Sequence, residues 1–177
     1  SLPSKPFIYV PLHTLPESAT LTLSTEYYES DLIRFMSKEL PAGVELGVKE
    51  NPNMVGMRPF SYYKKIDRLP NVRLLDPKIQ SKRLIQESQG VAGVSGTALL
   101  EAATLGKPTH AFGYPEFETV IDYHGHEEFE SFVYQCTSAS ELQSIDRVSK
   151  YFQFVIDNGE ELSLAPINSS PRTDEYW

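Results

Sequence analysis

A single cysteine, Cys136, stands among 177 residues. That scarcity excludes an internal disulfide framework and any zinc site built on several cysteines, and it fits a reducing compartment. Long hydrophobic runs are missing as well. None approaches the roughly 20 residues of a membrane-spanning helix, and no signal pattern opens the chain, so the expected location is cytoplasmic. Positive charge is the minority sign: 16 Lys and Arg against 24 Asp and Glu leave a net charge of -8. Such a balance argues against a nucleic-acid backbone as the main partner, while leaving room for a local basic pocket that holds a small phosphate.

Several catalytic signatures are also absent. Gly106-Lys107 is followed by Pro108 and comes after a helical stretch, so it is no Walker A loop, and glycines 90, 93 and 96 do not make the GxGxxG dinucleotide fingerprint. A first strand ending Pro11-Leu12-His13 lacks the acidic residues of a phosphorelay receiver, and no GxSxG elbow marks a hydrolase. His124-Gly125-His126-Glu127-Glu128 could attract a metal but has no clear further ligand, so no metal is expected. The length and the 40% hydrophobic content suit one globular domain with a real core. That domain is placed at residues 1–165, with 166–177 as a flexible polar tail. Because the chain opens on Ser1 rather than methionine, it is expected to be an excised or trimmed piece with a partner domain outside it.

What is present is an alternation of strands and helices. Strands are predicted at Phe7 to Leu12, Val44 to Val48, Val72 to Leu75, Val91 to Val94 and Thr109 to Phe112. Helices are predicted from Glu26 to Leu40, Phe60 to Ile66, Ser81 to Ser88, Ala98 to Leu105 and Ser140 to Asp157, with Tyr114 to Glu130 irregular and acidic. This order implies an α/β fold, a mostly parallel Rossmann-like sheet with helices on both faces. Ligands of such sheets sit at the carboxyl ends of the strands. One rim then gathers the loops at His13 to Thr25, Lys49 to Pro52, Asp76 to Ser81, Ser95 to Thr97 and Gly113 to Glu118.

The most informative stretch is Gly90 to Pro108, a strand, a small polar turn and a helix closed by Gly106 and Pro108. The first turn of a helix carries N–H groups without intrahelical partners and partial positive charge, and the small residues Ser95, Gly96 and Thr97 would let an anion approach. Glu101 lies on the same face as Thr97, one turn in, where a carboxylate could accept hydrogen bonds from paired sugar hydroxyls. Simple capping by Ser95 or Thr97, with Glu101 complementing the helix dipole, is the alternative.

The ordered set PLHTLPES, VKENP, RLLDP and SGTALLEAATLGKPTHAFG resembles the second half of bacterial capsule polysaccharide biosynthesis proteins. These are similar to GT-B glycosyltransferases and include transferases that use CMP-Kdo. The resemblance implies the C-terminal, donor-binding half of a GT-B fold. In that frame Ser95, Gly96 and Thr97 bind donor phosphate or nucleotide, Glu101 binds ribose hydroxyls and Lys49 adds charge near the phosphate. The family usually has His before Pro in its Lys-Glu-His-Pro run. Here that position is Asn51, which can donate a hydrogen bond to phosphate but carries no proton or positive charge. His13 and Glu17 match the family's first loop and would reach the donor sugar or the acceptor.

The resemblance further implies a nucleotide-sugar donor, with a CMP-sugar favoured, and a glycan or lipid-linked acceptor. It implies no additional cofactor and places the catalytic base in a missing N-terminal Rossmann-like domain, so this chain alone is expected to bind nucleotide without turnover. Peripheral association with the inner face of the membrane would run through other parts of the full protein. Two enzyme alternatives share the architecture, a nucleotide-sugar 2-epimerase and a teichoic-acid-type glycerophosphotransferase; a non-catalytic assembly module derived from such an enzyme is the third.

Overall fold

The computed structural model describes residues 2–14, 29–115, 117–138, 149–153 and 155–156. Six strands form one sheet: β1 (Phe7–Pro11), β2 (Glu45–Lys49), β3 (Val72–Leu75), β4 (Gly90–Gly93), β5 (Thr109–Ala111) and β6 (Tyr123–His124). Their order is β3-β2-β1-β4-β5-β6 and every pairing is parallel. This is the doubly wound Rossmann arrangement, in which the chain reverses its direction of travel between β1 and β4. The helices are α1 (Glu29–Glu39), α2 (Phe60–Asp67), α3 (Ser81–Glu87), α4 (Thr97–Thr104) and α5 (Phe129–Thr137).

Burial on both faces explains why the strands read as nearly continuous apolar runs. Along β1, Ile8 and Val10 join one core with Leu32, Ile33 and Met36 of α1, Ile66 of α2, and Phe129, Phe132 and Val133 of α5. Phe7 and Tyr9 point the other way, into a second core with Leu84 and Ile85 of α3 and Leu99, Ala102 and Ala103 of α4. The period-two alternation of a strand thus sorts helices α1, α2 and α5 to one layer and α3 and α4 to the other.

The five predicted strands fall where expected, and four of the predicted helices are found within a few residues of their predicted bounds. The segment expected to be irregular differs. It contains a short helical turn at Glu118–Val120, the edge strand β6 and the start of α5. Phe129, Phe132, Val133 and Cys136 lie at helical spacing and are all buried, and this apolar stripe is what forms α5 despite the acidic residues around it. Of the predicted last helix, residues 149–153 and 155–156 are helical and the rest lies outside the described residues, as do Glu17 and the tail at 166–177. No described helix is long and apolar enough to cross a membrane.

Candidate functional site

The point where the winding reverses is where a parallel sheet of this kind opens a crevice, because the loops following β1 and β4 diverge to opposite layers. A cleft of about 250 Å³ lies there, lined by Tyr9, His13, Lys49, Ser81, Asn51 and the Ser95–Ala98 turn, among others. The sheet register places these groups. Pro11 pairs with Lys49 across β1 and β2, and β1 also pairs with β4, so three adjacent strand ends deliver His13, Lys49 and Ser95 to one rim.

At the end of β4, Gly96 has φ +105°, a conformation open to glycine and strained for other residues. A methyl group there would also stand 3.2 Å from Nε2 of His13. Gly96 precedes α4 without any side-chain cap; the N–H of Leu99 donates to the Gly96 carbonyl at 3.1 Å, and no side chain caps the N–H groups of Thr97 and Ala98 before it. Ser95 is buried and its carbonyl oxygen is in contact with His13 Nε2 at 2.6 Å.

His13 is held from every side. Its backbone N–H donates to Glu29 Oε1 at 2.7 Å and its ring Nδ1 meets the same oxygen at 3.1 Å. Both ring nitrogens therefore face oxygen acceptors, a carboxylate and a carbonyl. Burial alone would raise the Glu29 carboxyl; the hydrogen bonds from His13 and the charge of Arg58 outweigh it and hold the group below its ordinary value.

Arg58 ties this cluster to the loop after β2. Its Nη2 lies 2.8 Å from Glu29 Oε2 and its Nε 2.8 Å from Glu50 Oε2, and Nη2 also donates to the carbonyl of His13. Its guanidinium sits over the Tyr62 ring, 4.9 Å from the centroid. Glu50 accepts from Tyr63 Oη at 2.6 Å and from the backbone N–H of Asn51. Burial, with that bond to Glu50, pushes the Tyr63 phenol up to about 12. A charge at position 50 reads from sequence as a solvated surface group; it is only 5% exposed, because the strand end turns it inward onto Arg58.

Lys49, likewise readable as a solvated strand end, is also 5% exposed. Its Nζ donates to Ser81 Oγ at 2.9 Å, and burial holds its ammonium below the ordinary lysine range. The Asn51 side chain is committed locally: its Oδ1 accepts from the N–H of Asn53 and caps the short turn Pro52–Met54.

Of the residues singled out by sequence, His13, Lys49, Asn51, Ser95, Gly96 and Thr97 line the one cleft. Glu101 stands on α4, exposed and outside the lining residues, though its charge acts on the Tyr9 hydroxyl. Tyr9, Ser81, Glu29 and Arg58 were not singled out, and Glu50 entered only as part of the Lys-Glu-Asn-Pro run. Ser81 alone had a visible signal, as the first residue of a helix following a strand-end loop. Among the described residues no group of His, Cys, Asp and Glu is arranged to hold a metal ion, and His124 and His126 contribute to no such group.

No family model matches the chain, and no curated protein matches it. Solved structures do share its fold. A Thermosulfurimonas dismutans KpsC, a beta Kdo 2,4 transferase, superposes with a TM-score of 0.57 at 16% identity over 77% of this chain and 45% of its own. Anabaena Alr3699/HepE, solved with UDP and glucose, gives 0.53 at 13% identity over 87% of this chain and 49% of its own. The UDP-GlcNAc 2-epimerase of Methanocaldococcus jannaschii, solved with UDP-GlcNAc and UDP, gives 0.54 at 10% identity over 86% and 45%. This chain thus spans about half the length of the structures it resembles.

Proposed function

We propose that this chain is the donor-binding half of a GT-B glycosyltransferase, holding a nucleotide sugar whose sugar passes to a glycan or lipid-linked acceptor. The observation that carries the reading is the cleft at the reversal of the sheet, where the uncapped α4 N-terminus approaches through Gly96 and a buried Lys49 stands close by. Backbone N–H groups and an ammonium lining one cleft oppose the charge that develops on a departing phosphate. The cleft is a little smaller than the roughly 300–1,000 Å³ of small-molecule pockets, a size that suits the charged middle of a donor with its base and sugar extending beyond.

His13, with both ring nitrogens engaged, serves here to position the β4–α4 turn rather than as a base. The base that activates the acceptor belongs to the rest of the protein. The fold is shared with Kdo transferases and with a 2-epimerase; the motif set around Lys49 and Ser95 favours transfer, with a CMP-sugar donor and a role in bacterial capsule or surface polysaccharide synthesis at the inner face of the membrane.

Calorimetric titration of the chain with CMP, CDP, UDP and GDP tests this, with Glu101→Ala alongside. Saturable CMP binding that weakens in the variant is expected. Equal stability and equal affinity of parent and variant would take Glu101 out of the site. Failure of all four nucleotides to bind would refute the donor-domain reading.

A further inference from the structure

Three large apolar side chains stand in water close together in the loop before α2: Val55 is 57% exposed, Met57 73% and Phe60 79%. Scattered singly, such residues are ordinary on a protein surface; gathered in one place they mark a contact. Their exposure is built into the loop. Met54 and Arg58 are both buried, the Met57 N–H donates to the Met54 carbonyl at 2.9 Å, and Arg58 is clamped by Glu29 and Glu50. Gly56 turns the chain between Val55 and Met57 with φ +83°. The segment is pinned at Met54 and at Arg58, and its apolar tip is held outward.

Positive charge continues the same surface down α2. Tyr62 and Ile66 turn that helix towards the core, whereas Phe60, Lys64, Lys65 and, just past its end, Arg68 are exposed. Phe60 and Lys64 stand at i and i+4 and so share one face. Between Val55 and Arg73 the exposed charged residues are Lys64, Lys65, Arg68 and Arg73 against Asp67 alone, in a chain whose net charge is -8. Of these basic residues only Arg73 is ion-paired among the described residues, to Glu45.

Apolar side chains beside lysines suit one kind of partner better than others. A protein interface is depleted of lysine at its centre. Nucleic acid binds through its phosphates and leaves Val55 and Met57 without a role. A bilayer surface carrying anionic lipid takes both: apolar side chains enter the boundary of the acyl chains while lysine and arginine meet the headgroups. The uneven charge also orients the chain, because this face is drawn to such a surface and the acidic remainder is turned from it.

We infer that the tip from Val55 to Phe60 and the outward face of α2 form a docking surface for an anionic lipid bilayer. Val55, Met57 and Phe60 insert, and Lys64, Lys65 and Arg68 hold the phosphate headgroups. None of these residues lines the cleft, so the surface is separate from the donor site and does not rest on the donor reading. The loop it belongs to begins at Asn51 and Pro52, which do line the cleft, so docking sets one edge of the cleft close to the bilayer.

The test is flotation of the chain with vesicles of phosphatidylcholine alone and of phosphatidylcholine mixed in equal parts with phosphatidylglycerol. Parent, Met57→Ser/Phe60→Ser and Lys64→Gln/Lys65→Gln are compared, with thermal melts to show that these exposed substitutions leave the fold intact. The parent should float with the mixed vesicles and stay behind with the neutral ones, and added salt should release it. The apolar pair should weaken binding at least about tenfold, and the lysine pair by about tenfold or more, at about fivefold for each charge near the surface. A parent that ignores the mixed vesicles, or floats equally well with both kinds, overturns the inference, as does binding that neither pair weakens. Tighter binding to a DNA duplex than to the vesicles assigns the basic face to nucleic acid, and self-association lost in Met57→Ser/Phe60→Ser assigns the tip to a second copy; either result overturns it too.

Discussion

Arg58→Met removes the guanidinium on which two buried carboxylates converge while keeping much of the aliphatic volume beside Tyr62. Both contacts of that guanidinium are 2.8 Å long and all three side chains are nearly inaccessible to water. Removing one member of a buried ion pair leaves its partner as an uncompensated charge, at a cost of about 3–5 kcal/mol. Against a total stability of about 5–15 kcal/mol for a domain, that is a large share. At about 2–4 °C per kcal/mol for a chain of this size, the melting temperature should fall by roughly 6–20 °C.

The effect also has a pH signature. Glu29 titrates below its ordinary value in the folded protein, so the stability it contributes is present above its unfolded pKa, about 4.3, and is lost as the pH falls through the lower folded value. Arg58→Met forfeits part of that contribution. The gap between parent and variant should therefore be widest near neutrality and narrow below about pH 4.3. Urea denaturation of both proteins at pH 7, 5 and 4 measures it. A deficit under about 1 kcal/mol, as for an exposed pair, or one that stays constant with pH, would refute the account. Adding Glu50→Gln to Arg58→Met should restore part of the loss, because one of the two stranded charges disappears.

Two further outcomes follow from the core. A methyl group on Gly90 would stand 2.5 Å from Cys136 Sγ and 3.0 Å from the Pro108 carbonyl oxygen, so Gly90→Ala should cost about 1–3 kcal/mol in urea denaturation, and Cys136→Ala in the same chain should recover only part because the backbone of Pro108 cannot yield. His110 is fully buried and burial lowers its pKa to about 3. Stability linked to it is complete above the unfolded pKa of about 6.5 and should decline by about 1.4 kcal/mol per pH unit as the pH falls below that; His110→Gln should flatten this slope between pH 7 and 5, and an unchanged slope would show that the folded ring already accepts a proton.

The layers of the fold were readable because each element carries its own period. Val44 to Val48 and Val91 to Val94 announce strands without reference to any other part of the chain, and the Ser95-Gly96-Thr97 turn announces a helix start. The acidic residues between Tyr114 and Glu130 masked β6 and α5. The apolar stripe Phe129, Phe132, Val133 and Cys136 was available, and it outweighs the local polarity because it faces the core cluster of α1 and the sheet. The interior of the site was hidden for a different reason. Glu29 follows His13 by 16 residues and Arg58 by 45, and no local pattern tells a carboxylate at position 50 that its partner will arrive from the loop before α2. Burial of Lys49 and Glu50 was likewise a property of neighbouring strands rather than of the Lys-Glu-Asn-Pro run itself.

The way positive charge is deployed has a kinetic consequence. Inside the cluster, Arg58 is taken up by Glu29 and Glu50, leaving Lys49 and the backbone dipoles of α4 as the attraction at the cleft, within a chain of net charge -8. An anion approaching from afar meets repulsion, and finds attraction only within the last several ångströms, inside a Debye length of about 8 Å at physiological salt. Added salt then screens the long-range barrier more than the buried contact. Capture by this cleft is a short-range event, and an anionic ligand should associate with the chain faster as the ionic strength rises, the reverse of electrostatic steering.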